Sequence, residues 1–207
     1  MVCALLMWIF AFVYFNFWMV IYSTSAMPGP KLMNGIIFGV GESFSCLTSG
    51  LLVRFIKDST AVIICCFVGV VTASTFYFTG GMETGLLGAI LLFTEVFAIG
   101  AICSLTYVLA ELRVPPESFG STTVLCVTLA LIFSGLSQFF AYADGIIPTA
   151  TVVLVFCLIA FMTIILPPGG QFLQNVNKIN ASCSQLLQDP NQMTINDSAY
   201  MVTLGAY

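Results

Sequence analysis

The run GLLGAILLFTEVFAIGAICSLTYVLA, residues 85–110, decides how this chain is read. Apart from Glu95 it carries no charge. A helix of this length exceeds the roughly 30 Å of a bilayer's hydrocarbon core, which about 20 apolar residues suffice to cross. The surrounding composition agrees. Of 207 residues, 59% are hydrophobic and 7% charged, with five Lys+Arg, nine Asp+Glu and no His. Soluble domains carry roughly 25% charged residues, so a soluble globule could not cover itself here. Disorder needs low hydrophobicity and high charge and is excluded. Eight Cys in 207 residues fall below the density of a disulfide scaffold. The chain reads as an all-α integral membrane protein.

Working outward from residues 85–110, short polar or Pro/Gly breaks delimit five more spans, at about 3–23, 34–55, 60–79, 120–142 and 147–166. None alternates apolar and polar residues as barrel strands do. The first span is too long for a signal peptide and lacks a positive leader. Residues 1–170 thus form a six-helix transmembrane domain. Residues 171–207, rich in Asn, Gln, Ser and Asp, read as a flexible polar tail.

Six spans put both termini on one side. The loops on that side contain Arg54, Lys57 and Arg113, and the tail adds Lys178, whereas the opposite loops contain only Lys31. The positive-inside rule then places the termini in the cytoplasm of a multi-pass protein. A cytoplasmic tail leaves the sequons at Asn180 and Asn196 unglycosylated.

Glu42 and Glu95 are the acidic residues at membrane depth, about 12 Å and 16 Å from the outer ends of their spans at 1.5 Å per residue. A charged residue at mid-span costs roughly 2.5–3.5 kcal/mol on insertion scales and is retained mostly where it faces protein or water. Glu42 has Gly35, Phe38, Gly39, Ser45, Cys46 and Ser49 on its helical face. Such small residues serve close helix packing or leave room for a cavity. Glu95 has a more apolar face of Gly88, Leu91, Leu92, Ala98, Ile99 and Ile102. Two carboxyls facing one cavity would make a cation or proton site. In the first span, Tyr14 and Phe15 offer aromatic faces to a cation, and Asn16 is a mid-span amide that needs a partner. Trp18 and Tyr22 read as an interfacial belt.

Imidazole catalysis and His-based metal sites are excluded by the absence of His. Neither CxxC, a phosphate-binding glycine loop, GxSxG nor HExxH occurs. Cys65 and Cys66 are adjacent on one helix and point to different faces. No nucleophile–base pair stands out, so no enzyme and no cofactor is expected, and five basic residues exclude a nucleic-acid surface.

Several collinear segments over residues 1–170 resemble the C-terminal half of a major facilitator superfamily transporter, nearest the organic cation/anion transporter (solute carrier) family. Val13-Tyr14-Phe15-Asn16 resembles the Val-Tyr-Tyr-Gly of that family's seventh helix. Gly41-Glu42 falls where the eighth carries a glutamate among small residues. The stretch from Leu51 to Thr60 occupies the place of the cytoplasmic Asp-Arg-x-Gly-Arg-Arg loop, with only Arg54 and Lys57 keeping the charge pattern. Tyr107-Val108-Leu109-Ala110-Glu111-Leu112 resembles the end of the tenth helix, and Leu166-Pro167 the exit from the twelfth. Glu95 stands where anion-preferring members often carry a basic residue. The fifth span has no charge near Ala130, where the family often has one. Both departures turn the implied substrate from an organic anion toward a cation.

The resemblance implies one six-helix half of a major-facilitator-type fold, working by alternating access about a central site. It implies a small organic solute as substrate, bound by Tyr14, Phe15, Asn16, Glu42 and Glu95. Arg54, Lys57 and Glu111 would serve as cytoplasmic gate contacts; topology-setting surface charge explains them equally. The partner expected besides the lipid bilayer is a second six-helix half, encoded upstream or supplied by another chain. The alternative is a non-transporting membrane protein, an assembly partner or a decayed transporter copy.

Overall fold

The structure, a computed structural model, describes residues 2–26, 30–79, 86–141 and 147–167. The tail at 171–207, including both sequons, lies outside them. The described chain is all-helical: α1 (Val2–Ala26), α2 (Lys31–Phe55), α3 (Asp58–Phe78), α4 (Leu86–Arg113), α5 (Pro116–Ala141) and α6 (Ile147–Ile165). All six are long and apolar enough to cross a membrane.

Several ends differ from the sequence reading, for local reasons. The second helix starts earlier, at Lys31, because the Pro30 carbonyl accepts from the Met33 and Asn34 amides at 2.9 and 3.2 Å. The fourth continues past Glu111 to Arg113, whose side chain turns back onto the protein. The Val114 amide then closes on the Ala110 carbonyl at 2.9 Å. The fifth starts at Pro116, not near 120. Proline suits a first helical position because its missing N–H would be unpaired there anyway.

α1 packs on α5, α4 and α6, and α4 packs on α2, α3 and α1, while α3 also lies against α6. The buried centre comes from Leu6, Ile9, Phe10 and Val13 of α1, Ile99, Ile102, Leu105 and Leu109 of α4, and Phe156 and Ile159 of α6. Exchanging α1–α3 for α4–α6 maps this packing onto itself. The α1–α5 contact becomes α4–α2, α1–α6 becomes α4–α3, and α1–α4 and α3–α6 return to themselves. Each repeat has three helices, an odd number, so the two run in opposite senses.

Small residues set two of these contacts. A Cβ on Gly69 would meet the Phe156 ring, so α3 and α6 touch backbone to ring. A Cβ on Gly100 would meet Ser45, and one on Gly41 would lie 3.1 Å from Val96 Cγ1, which brings α2 onto α4. Gly35 and Gly39 are not part of that contact: apart from the adjoining backbone of α2 itself, no heavy atom of the described residues lies within 4 Å of a Cβ at either. The small-residue stripe therefore divides. Gly41, Ser45 and Ser49 are buried against the bundle, and Gly35 and Gly39 are left open.

Candidate functional site

The Arg113 end of the bundle holds a polar brace. Arg113 pairs with Asp58 at the start of α3 and donates to Ser59 Oγ at 2.8 Å. Its Nε donates to the Pro167 carbonyl after α6 at 3.0 Å, so one guanidinium ties α4 to α3 and α6. The Arg113 side chain is 3% exposed and that of Asp58 17%. The residues expected as gate contacts lie outside this brace. Arg54, Lys57 and Glu111 are exposed and have no hydrogen-bond or ion-pair partner among the described residues.

At membrane depth, the Tyr14 and Tyr107 hydroxyls are hydrogen-bonded at 2.7 Å across α1 and α4. Phe10 meets the Tyr107 ring edge-on, with centroids 5.0 Å apart. Cys103, one helical turn from Tyr107, is within electrostatic reach of both Tyr14 and Glu42. Ser104 lies beside it, with its Oγ 3.6 Å from Cys46 Sγ of α2. Phe17 of α1 and Phe38 of α2 complete the face, with rings 5.9 Å apart. Tyr14 and Glu42 are half-buried and Tyr107 is exposed, so these groups border open space. Among the described residues the basic side chains Lys31, Arg54, Lys57 and Arg113 all lie at helix ends or in the loop between α2 and α3. The face therefore presents hydroxyls, one carboxyl and aromatic edges with no competing cation.

The other expected site residues lie elsewhere. Phe15 is buried, edge-on to Phe140 at 5.7 Å. Asn16 is fully buried, and neither its Oδ1 nor its Nδ2 has a partner among the described residues. Glu95 is buried about two helical turns along α4 from Cys103, in a cavity bordered, among the described residues, by Val20, Ala73, Phe76, Pro148, Thr149 and Val152. Glu42 does not border that cavity, so the two carboxyls do not converge. Tyr22 accepts a hydrogen bond from Gln138 Nε2 at 2.6 Å, which joins α1 to α5. Trp18 leans on its ring at 5.7 Å. The sequence reading passed over Tyr107, Cys103 and Ser104 as site residues. Their one available signal was the i, i+4 spacing of Cys103 and Tyr107.

Compared with protein-family models, curated proteins and solved structures, the chain matches none.

Proposed function

We propose that this chain is one half of a secondary transporter for small organic cations, working by alternating access, with its termini in the cytoplasm. The observation that carries the reading is the membrane-depth face of Tyr14, Tyr107, Cys103 and Glu42. A hydroxyl pair and a carboxyl stand there among aromatic rings with no basic residue. An organic cation is held in such a place by the ring quadrupoles and by the carboxylate. The exchange of α1–α3 with α4–α6 supports the reading, because inverted three-helix repeats nest within each six-helix half of major-facilitator transporters. In that arrangement Tyr14 and Glu42 touch substrate, while Phe15 and Asn16 support the site from within the bundle. Arg54, Lys57 and Glu111 face the cytoplasmic surface, where a second half would meet them.

The second half would complete the site. The open face of α2 at Gly35 and Gly39 supports that need, since it leaves room for close helix approach. The test is uptake of a quaternary ammonium such as tetraethylammonium into membrane vesicles from cells expressing the complete unit, the full chain together with its second six-helix half. We expect uptake above that of control vesicles, reduced at least tenfold by Glu42→Gln. Uptake equal to the control would favour the non-transporting reading. Uptake unaffected by Glu42→Gln would remove Glu42 from the site.

A further inference from the structure

Glu95 is 6% exposed, and among the described residues no hydrogen bond or ion pair reaches it. It lines a cavity of about 50 Å³ between α1, α3, α4 and α6, toward the end opposite Arg113. One water needs about 10–15 Å³ on this measure, so a few waters fit. Thr149 adds a second polar group to the wall, and the other described residues that border it are Val20, Ala73, Phe76, Pro148 and Val152. Asn16, with its orphan amide, lies one helical turn from Val20 on the same face of α1.

A carboxyl in such a place has three possible counterparts: a basic side chain, a metal ion or a proton. Among the described residues that line the cavity from α1, α3 and α6, none is charged or titratable. On α2, Glu42 is within electrostatic reach of Cys103, about two helical turns along α4 from Glu95. On α5 the charged residue is Glu117, in the first turn, near the Arg113 end. Calcium takes six to eight oxygen ligands, and magnesium an octahedron of six that includes several of its own waters; a cavity of about 50 Å³ with one carboxyl and one hydroxyl does not hold such a shell. Among the described residues no group of three His, Cys, Asp or Glu could hold a metal.

We propose that the Glu95 cavity is a proton-binding site, separate from the organic-cation face. The carboxylate takes a proton from hydronium in the cavity and leaves a water molecule; release reverses the step. No co-reactant is needed. The site lies beside α1 and α4, the two helices that also carry the Tyr14–Tyr107 pair. It is placed to couple proton occupancy to their packing. The assignment does not depend on transport, and its test reads protonation itself.

The experiment is pH-difference infrared spectroscopy of the full chain in lipid nanodiscs, following the carbonyl stretch of protonated carboxyls. We expect a titrating carbonyl band that Glu95→Gln abolishes, that Glu95→Asp shifts in frequency and that Glu42→Gln retains. Ala73→Phe, which fills the cavity, should slow the proton exchange of that band at least tenfold without abolishing it. A band unchanged in Glu95→Gln overturns the assignment, as does its displacement by sodium at constant pH. Where Glu95→Gln fails to fold, the Glu95→Asp shift and the Ala73→Phe rate decide alone. A frequency or a rate identical to the parent's then overturns the assignment too.

Discussion

Replacing Arg113 by alanine should destabilise the bundle more than any other single change at its polar end. The guanidinium is 3% exposed and reaches Asp58, Ser59 and the Pro167 carbonyl. Breaking a buried ion pair by removing one partner costs about 3–5 kcal/mol, because the other charge stays behind. Two features lower the figure here. Asp58 keeps 17% exposure and so some solvent. It also sits in the first turn of α3, where the helix dipole favours an anion by about 0.3–1 kcal/mol. The expected loss is about 3 kcal/mol. Lysine in its place keeps the charge but not the planar fork that spans α3 and α6, so Arg113→Lys should lose about 1–2 kcal/mol. The cycle with Asp58→Asn should show a coupling of about 2 kcal/mol, within the usual range for contacting residues.

The protein supplies its own reporter for this measurement. Cys65, Cys66 and Cys126 are buried free thiols. Their labelling by a thiol-reactive fluorophore during denaturant unfolding in detergent follows loss of the packed state. A destabilisation below about 0.5 kcal/mol with no coupling to Asp58 would refute the reasoning, because that is the size expected of an exposed pair.

Three other outcomes follow from the same geometry. Gly69→Ala should cost about 1–3 kcal/mol because its Cβ meets the Phe156 ring, and Phe156→Leu should recover part of it; Gly35→Ala, with open space around it, should be neutral or slightly stabilising in the same unfolding assay. Asn16→Ala should change stability by less than about 1 kcal/mol, since the cavity it opens is offset by removing two unpaired polar atoms; a loss above about 2 kcal/mol would show that the amide has a partner. Tyr14→Phe should cost about 1 kcal/mol in thiol-monitored unfolding through its lost bond to Tyr107, and should weaken quaternary-ammonium uptake less than Glu42→Gln does.

What could be read in the sequence follows from membrane physics. Apolar run length fixes the number of helices, because an unsatisfied backbone cannot cross hydrocarbon. Six runs became six helices. Helix ends were harder. Glu111 and Arg113 read as the exit from a span, yet Arg113 folds back under the bundle to Asp58, 55 residues earlier. No spacing rule anticipates that pairing. The same holds for Tyr14 and Tyr107, which are 93 residues apart.

The faces of the helices were the least legible feature. In a soluble protein, polarity divides a helix into a buried and a solvated side. In lipid, both sides can be apolar and the division fades. Glu42 and Glu95 stood out by depth alone. Nothing in their neighbours showed that one borders the aromatic face and the other a separate cavity. Gly35 and Gly39 likewise advertised close packing, while Gly41, Gly69 and Gly100 make the contacts.

The central claim is that the Tyr14–Glu42 face binds an organic cation. Its most direct measurement is tetraethylammonium uptake by vesicles bearing the full chain together with its second six-helix half, compared with Glu42→Gln and Glu95→Gln under identical conditions. The account predicts that Glu42→Gln reduces uptake at least tenfold at every pH, and that Glu95→Gln changes chiefly how uptake depends on pH. Equal uptake by the parent and by Glu42→Gln across the whole pH range would contradict it.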